Sequence, residues 1–273
     1  MWSKLKVRLL SAIIGAVFVI GIIFAPVNVF NIGIAAVCFL SLYELYNAFN
    51  KEKKWQIIIT QYLAAVALIF IYSKGIYAGE VVPLIFAVYI MVLFVCAVIW
   101  NEKIKFRDVE LSVFSLIYGV LLILHLLRIR QMPEGKLLIF LPLLGAWMPD
   151  TFAYFSGLLF GKRKLIPSIS PNKTVAGSVG AVLGCVFMFL IYGVICKNLG
   201  FTVNYLNLVI LSIICGVMSQ FGDLSASIMK RQYDIKDFGN LLPGHGGILD
   251  RIDSLVFIAP IVYYFINFWP PIG

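Results

Sequence analysis

Residues Ser227 to Asp253 read SIMKRQYDIKDFGNLLPGHGGILDRID. Acids, bases, glycines and one of the chain's two histidines crowd into this connection, and apolar sequence flanks it on both sides. Just upstream, Asp223 lies in QFGDLSAS. On a helix Asp223, Ser227 and either Lys230 or Arg231 share a face, because residues three and four apart stack above one another. Asp250 and Asp253 share a face for the same reason. Either one alone reads as an ordinary acid at a helix N-terminus, favoured by the helix dipole. Three carboxylates meeting in one place are another matter. They repel unless protonated or holding a cation, and oxygen-only ligands select a hard ion such as Mg²⁺, one or two of them.

Between these acids, Gly244, Gly246 and Gly247 bracket His245. Glycines permit close approach of a ligand to main-chain N–H groups. A plain turn would account for them. It would not need Lys230, Arg231, Lys236, His245 and Arg251 as well. Bases beside acids, with exposed amides, suit a polyphosphate bridged by metal. A second polar connection, GKRKLIPSISPNKTVAG, runs from Gly161 to Gly177. Ser170, Asn172, Lys173 and Thr174 form a donor cluster just before an apolar segment, where a helix N-terminus would attract an anion. A phosphate contact is expected there, whereas Lys162, Arg163 and Lys164 read as topology signals.

The elements that must position these groups are membrane helices. The chain of 273 residues is 62% hydrophobic and only 13% charged, against about 25% charged in soluble domains. Long apolar runs recur, each near the roughly 20 residues that cross a bilayer. We expect an all-α polytopic transmembrane bundle of about nine spans: 9–27, 29–48, 57–73, 81–100, 111–127, 137–160, 175–195, 206–229 and 252–269. With the N-terminus in the cytoplasm, all but five of the 22 Lys and Arg (Lys74, Arg128, Arg130, Lys136 and Lys197) fall on inside segments, as the positive-inside rule requires. Both polar connections then face the cytoplasm. The net charge of +9 is therefore topological, and no nucleic-acid partner is expected. The first apolar run is long for a signal peptide. Five scattered cysteines have no metal-ligand spacing and read as small buried hydrophobes.

Polar residues at membrane depth concentrate in the last four spans. This suggests a scaffold half, 1–136, and a working half, 137–273, within one domain. An ionisable group inside a span costs about 2.5–3.5 kcal/mol on insertion scales. Glu44, in LYELYN, is expected to reach the membrane interface. His125 is expected to be a satisfied histidine, and Asp150 a polar group near the site without an assigned role.

The pattern of Ser227, Lys230-Arg231, Lys236-Asp237, His245-Gly246-Gly247 and Asp250-Arg251-Ile252-Asp253 resembles the signature of the phosphatidate cytidylyltransferase family, the CDP-diacylglycerol synthases. The upstream stretch with Asp150, Tyr154, Gly157, Gly161 and Ser170-Pro171-x-Lys173-Thr174 resembles that family's second shared segment, with Ala176 where the family usually has Glu. The resemblance covers roughly 145–255. It implies attack of phosphatidic acid on the α-phosphate of CTP, giving CDP-diacylglycerol and pyrophosphate with a divalent metal. Within that reaction Asp223, Asp250 and Asp253 would hold cations. Lys230, Arg231, Lys236 and Arg251 would neutralise the triphosphate. His245 would donate to phosphate or carry a proton, Gly246 and Gly247 would approach the nucleotide, and Lys173, Ser170 and Thr174 would contact a phosphate. The partners are CTP, phosphatidic acid and the bilayer of a bacterial-type inner membrane, and a homo-oligomer is compatible with this reading. Two rivals stay open: a CTP-dependent membrane lipid kinase, which would release CDP, and an ion or anion transporter.

Overall fold

The computed structural model describes residue 15 and residues 19–49, 52–76, 78–241 and 246–273. It is an all-α membrane protein with one small hairpin. In lipid no water pairs with the main chain, so each crossing segment must satisfy its own amides, and helices result. Seven described helices are long and apolar enough to cross a membrane. Of the expected first span, 9–27, residues 9–14 and 16–18 lie outside the described residues.

The described residues form two compact units, Met1–Gln131 with Asp237–Arg251, and Met132–Lys236 with Ile252–Gly273. This division differs from the expected one of 1–136 and 137–273, because residues 237–251 cluster with the first part of the chain.

The first unit contains α1 (Val27–Phe49), α2 (Trp55–Ser73), α3 (Ala78–Ile99), α4 (Phe106–Leu116), a π-helical turn (Ile117–Leu121) and α5 (His125–Gln131). Leu42 and Leu45 of α1, Leu68 of α2, Leu93 of α3 and Leu116 of α4 are fully buried. Some buried polar groups in this unit pair with one another: Tyr89 Oη and Ser112 Oγ are 2.6 Å apart, and Gln61 Nε2 donates to the Ser112 carbonyl. Lys54 Nζ pairs with Asp108 at 2.8 Å, tying the α1–α2 connection to the head of α4. The expected span 111–127 is part of a longer apolar run, Phe106–Gln131, broken by the π-helical turn. There the wider turn loosens the main-chain ladder, and His125 Nδ1 lies 3.1 Å from the Leu121 carbonyl and 3.2 Å from that of Leu122. His125 is thus the satisfied histidine expected.

The second unit contains α6 (Gly135–Leu138), α7 (Phe140–Phe160), β1 (Lys164–Ile166), β2 (Ser170–Thr174), α8 (Val175–Asn198) and α9 (Tyr205–Gln232). The last helix, α10 (Leu249–Phe268), begins in the first unit and continues into the second. Strands β1 and β2 pair antiparallel, Lys164 with Thr174 and Ile166 with Ser170. The second polar connection is therefore an ordered hairpin. Thr174 caps α8, its Oγ1 accepting from the Gly177 amide at 3.1 Å. Pro149 inside α7 removes one donor from the helix ladder. In the same stretch, the Ser219 hydroxyl of α9 donates to the Ala146 carbonyl.

Candidate active site

Two polar clusters contain most of the residues expected to do chemistry, one in each unit.

The cluster in the second unit is built on the cytoplasm-expected ends of α9 and α10 and on β2. Asp223 stands on α9, half-buried, and its Oδ2 lies 2.6 Å from Lys173 Nζ on β2. The hairpin register determines which β2 side chain reaches Asp223. Asp253 on α10 is buried, and its Oδ1 accepts from the Ser254 amide at 2.7 Å. Asp223, Lys230 and Asp150 are all close enough to act on Asp253 electrostatically. Asp150, unassigned from sequence, thus belongs to this cluster. Helices α9 and α10 can approach here because Gly222 has no side chain: a Cβ there would lie 2.9 Å from the Asp253 carbonyl oxygen and from Ser254 Cα. The Ser254 hydroxyl donates to the Ser219 carbonyl at 3.1 Å, fixing the same contact.

The cluster in the first unit surrounds the start of α10. Asp250 is buried, and its Oδ2 accepts from the amides of Phe238 (2.9 Å) and Gly247 (3.0 Å). Gly246 holds φ at +83°, a conformation an L side chain would strain, with Asp237 and Asp250 against it. Glu44 reaches in from α1. Its Oε1 accepts from the Ile248 amide and its Oε2 from the Leu249 amide, each at 2.8 Å. These are orphan donors at a helix N-terminus, capped from a distant helix rather than by a local side chain.

This arrangement changes several expectations. Glu44 is 3% exposed, its carboxylate enclosed by the loop before α10 and not open to solvent. Its signal was present in the sequence as a carboxylate in an apolar span, a costly placement that calls for partners. Sequence alone did not reveal those partners. The Gly247 amide, expected to be open to a ligand, is donated to Asp250. Thr174, expected to contact a phosphate, is the N-cap of α8, and Ser170 pairs in the hairpin. Arg231, Lys236 and Arg251 are exposed. His245 lies outside the described residues.

Among the described residues no group of three or more His, Cys, Asp or Glu side chains is arranged as a metal cage. Magnesium does not require one. It is commonly held by one or two carboxylates, with substrate phosphates and water completing an octahedron. The donor set of Asp223 and Asp253 is hard and oxygen-only, with Asp150 adding negative charge, and so fits such an ion.

The chain matches the cytidylyltransferase family over residues 6–269. It is 31% identical over 271 residues to the phosphatidate cytidylyltransferase of Bacillus subtilis, covering 95% of this chain and 97% of that protein. Similar relatives with the same name come from Thermotoga maritima, 31% identical over 270 residues with 96% of each chain covered, and from Haemophilus influenzae, 32% identical over 291 residues with 97% and 99% covered.

Proposed function

This chain belongs to the cytidylyltransferase family, and we propose that it transfers the cytidylyl group of CTP to phosphatidic acid at the cytoplasmic membrane face. A phosphatidate oxygen attacks the α-phosphorus of CTP. The new P–O bond forms as the bond to the β-phosphate breaks, and pyrophosphate leaves. The nucleophile is already an anion, so no strong base is needed. Positioning and charge neutralisation carry the step.

Asp223 and Asp253 would hold Mg²⁺, with Asp250, three residues before Asp253 on the same helix, as the third member of the set. When bound, the ion would neutralise charge on the triphosphate oxygens. Lys173, beside Asp223, would meet a phosphate whose charge is shared with the ion that the same carboxylate would hold. Lys230, Arg231, Lys236 and Arg251 would offset the charge of the triphosphate and the departing pyrophosphate, and His245 would donate to a phosphate oxygen. Gly246 lets the loop turn tightly, while Gly247 holds Asp250 and shapes the nucleotide's surroundings. Ser170 and Thr174 act by holding the hairpin that presents Lys173. The distribution of Lys and Arg supports a cytoplasmic site, where CTP is available and the phosphatidate headgroup lies at the membrane surface.

The observation that carries this reading is the Lys173–Asp223 pair with Asp253 beside it, an acid–base cluster suited to phosphate and metal together. The test is to incubate purified protein with labelled CTP, phosphatidic acid and Mg²⁺. CDP-diacylglycerol and pyrophosphate are expected. Release of CDP with a phosphorylated lipid would instead mark a kinase, and CTP-independent ion flux in liposomes without any lipid product would mark a transporter.

A further inference from the structure

Glu44 has no part in the chemistry described above, yet it is among the most completely enclosed charged side chains of the first unit. Burying a carboxylate is expensive unless hydrogen bonds compensate it. Both of its oxygens are engaged, at 2.8 Å each, with two successive amides, Ile248 and Leu249. The loop is fitted around it on two sides. A Cβ at Gly247 would come within 2.5 Å of the Glu44 carboxyl carbon and both its oxygens, and one at Gly239 within 2.6 Å of Oε1. Two glycines of the polar connection thus leave the space that this carboxylate fills.

A second carboxylate completes the arrangement. Asp250 takes the amides of Phe238 and Gly247. The three successive amides of Gly247, Ile248 and Leu249 are therefore all received by acids, the first by Asp250 of the loop's own helix and the other two by Glu44 of α1. Glu44 and Asp250 are near enough to act on each other electrostatically. Two like charges held together beneath one loop resist any shift that would bring them closer, and each is secured by at least one amide of the run Gly247–Leu249.

We propose that Glu44 is a positioning residue: from α1 it fixes the backbone of Gly247–Leu249, and through it the direction in which Asp250 and Arg251 face the CTP–Mg²⁺ complex. This rests on the cytidylyl-transfer reading for the identity of the nucleotide. It does not rest on turnover, because its consequences can be read from binding and from backbone protection. Neutral Gln at this position keeps the size but can accept with only one oxygen, so one of the two amide bonds is lost. Ala removes both.

The test uses the full chain in detergent. Hydrogen exchange is followed over residues 246–250, and the affinity for CTP with Mg²⁺ is measured by calorimetry for wild type, Glu44→Gln, Glu44→Asp and Glu44→Ala. In E44Q the exchange of this segment should rise about tenfold and the affinity fall about tenfold, the usual worth of one hydrogen bond to a charged group. E44A should fall further on both. E44D, shorter but with both acceptors, should lie between wild type and E44Q. Unchanged exchange in E44Q overturns the proposal. So does raised exchange with wild-type affinity, which would make Glu44 a structural cap and nothing more. Wild-type protein that binds CTP but yields no CDP-diacylglycerol would overturn the proposed reaction and leave this inference standing.

Discussion

Lys173 Nζ lies 2.6 Å from Asp223 Oδ2, joining the hairpin between α7 and α8 to the cytoplasm-expected half of α9. Both side chains are partly exposed, at 22% and 29%. The Lys173 nitrogen itself is enclosed, so the pair stands between a surface and a buried ion pair and contributes on the order of 1 kcal/mol to stability. Stability alone therefore does not account for the pair. Replacing Lys173 with Met should leave the melting temperature nearly unchanged while lowering kcat about 100-fold, the scale seen when one group that stabilises developing charge is removed. K173R should keep part of the rate. A large drop in melting temperature with wild-type kcat in K173M would show the pair to be structural.

The proposed cation set makes a second expectation concrete. Asp223→Asn and Asp253→Asn keep the shape of each side chain but remove its charge. Both variants should insert into the membrane normally and lose CTP-dependent lipid product. In wild-type protein, EDTA should abolish activity and Mg²⁺ restore it, whereas Zn²⁺, which prefers nitrogen and sulfur ligands, should restore little. Product formation in EDTA, read by thin-layer separation of labelled lipids, would remove the metal from the scheme.

Gly222 offers a purely steric test. The atoms nearest to an added Cβ are main-chain atoms of Asp253 and Ser254, at 2.9 Å, and these cannot rotate away as a side-chain tip could. Gly222→Ala should push α9 from α10 and destabilise the protein by about 1–3 kcal/mol, the usual range for overpacking. Because Asp223 follows immediately and Asp253 is the residue displaced, kcat should fall more than the melting temperature alone would explain. Thermal unfolding in detergent beside kcat per folded molecule would check this. An unperturbed G222A would mean that the helices are not held at this distance.

The outcome separates what local sequence encodes from what it cannot. Spans such as 57–73 and 206–229 correspond to α2 (Trp55–Ser73) and α9 (Tyr205–Gln232), because an apolar run of bilayer length has few other solutions. Helical spacing groups Asp223 with Lys230 and, separately, Asp250 with Asp253; that Asp223 and Lys230 also act on Asp253 comes from the packing of α9 against α10, which spacing does not encode. The hairpin was not legible either, since β2 (SPNKT) contains a proline and no apolar alternation. The π-helical turn at Ile117–Leu121 breaks the 3.6-residue period that a sequence reading assumes. Glu44 escaped because its partners stand 204 and 205 residues away. Spacing arguments reach one or two helical turns, and no further.

Asp250 is proposed in two roles that substitution can separate. Its Oδ2 receives two buried amides, and its charge belongs to the proposed cation set. Asp250→Ala removes both roles. Two unsatisfied buried donors, each costing about 1–3 kcal/mol, should lower the melting temperature, and lipid product should vanish. Asp250→Asn keeps a carbonyl oxygen with two lone pairs, enough to accept from Phe238 and Gly247. D250N should therefore melt close to wild type and still be as inactive as D250A, because only the charge is gone. Measuring both properties on both variants decides the matter: substantial turnover in D250N would restrict Asp250 to bracing the loop and leave Asp223 and Asp253 as the cation's carboxylates.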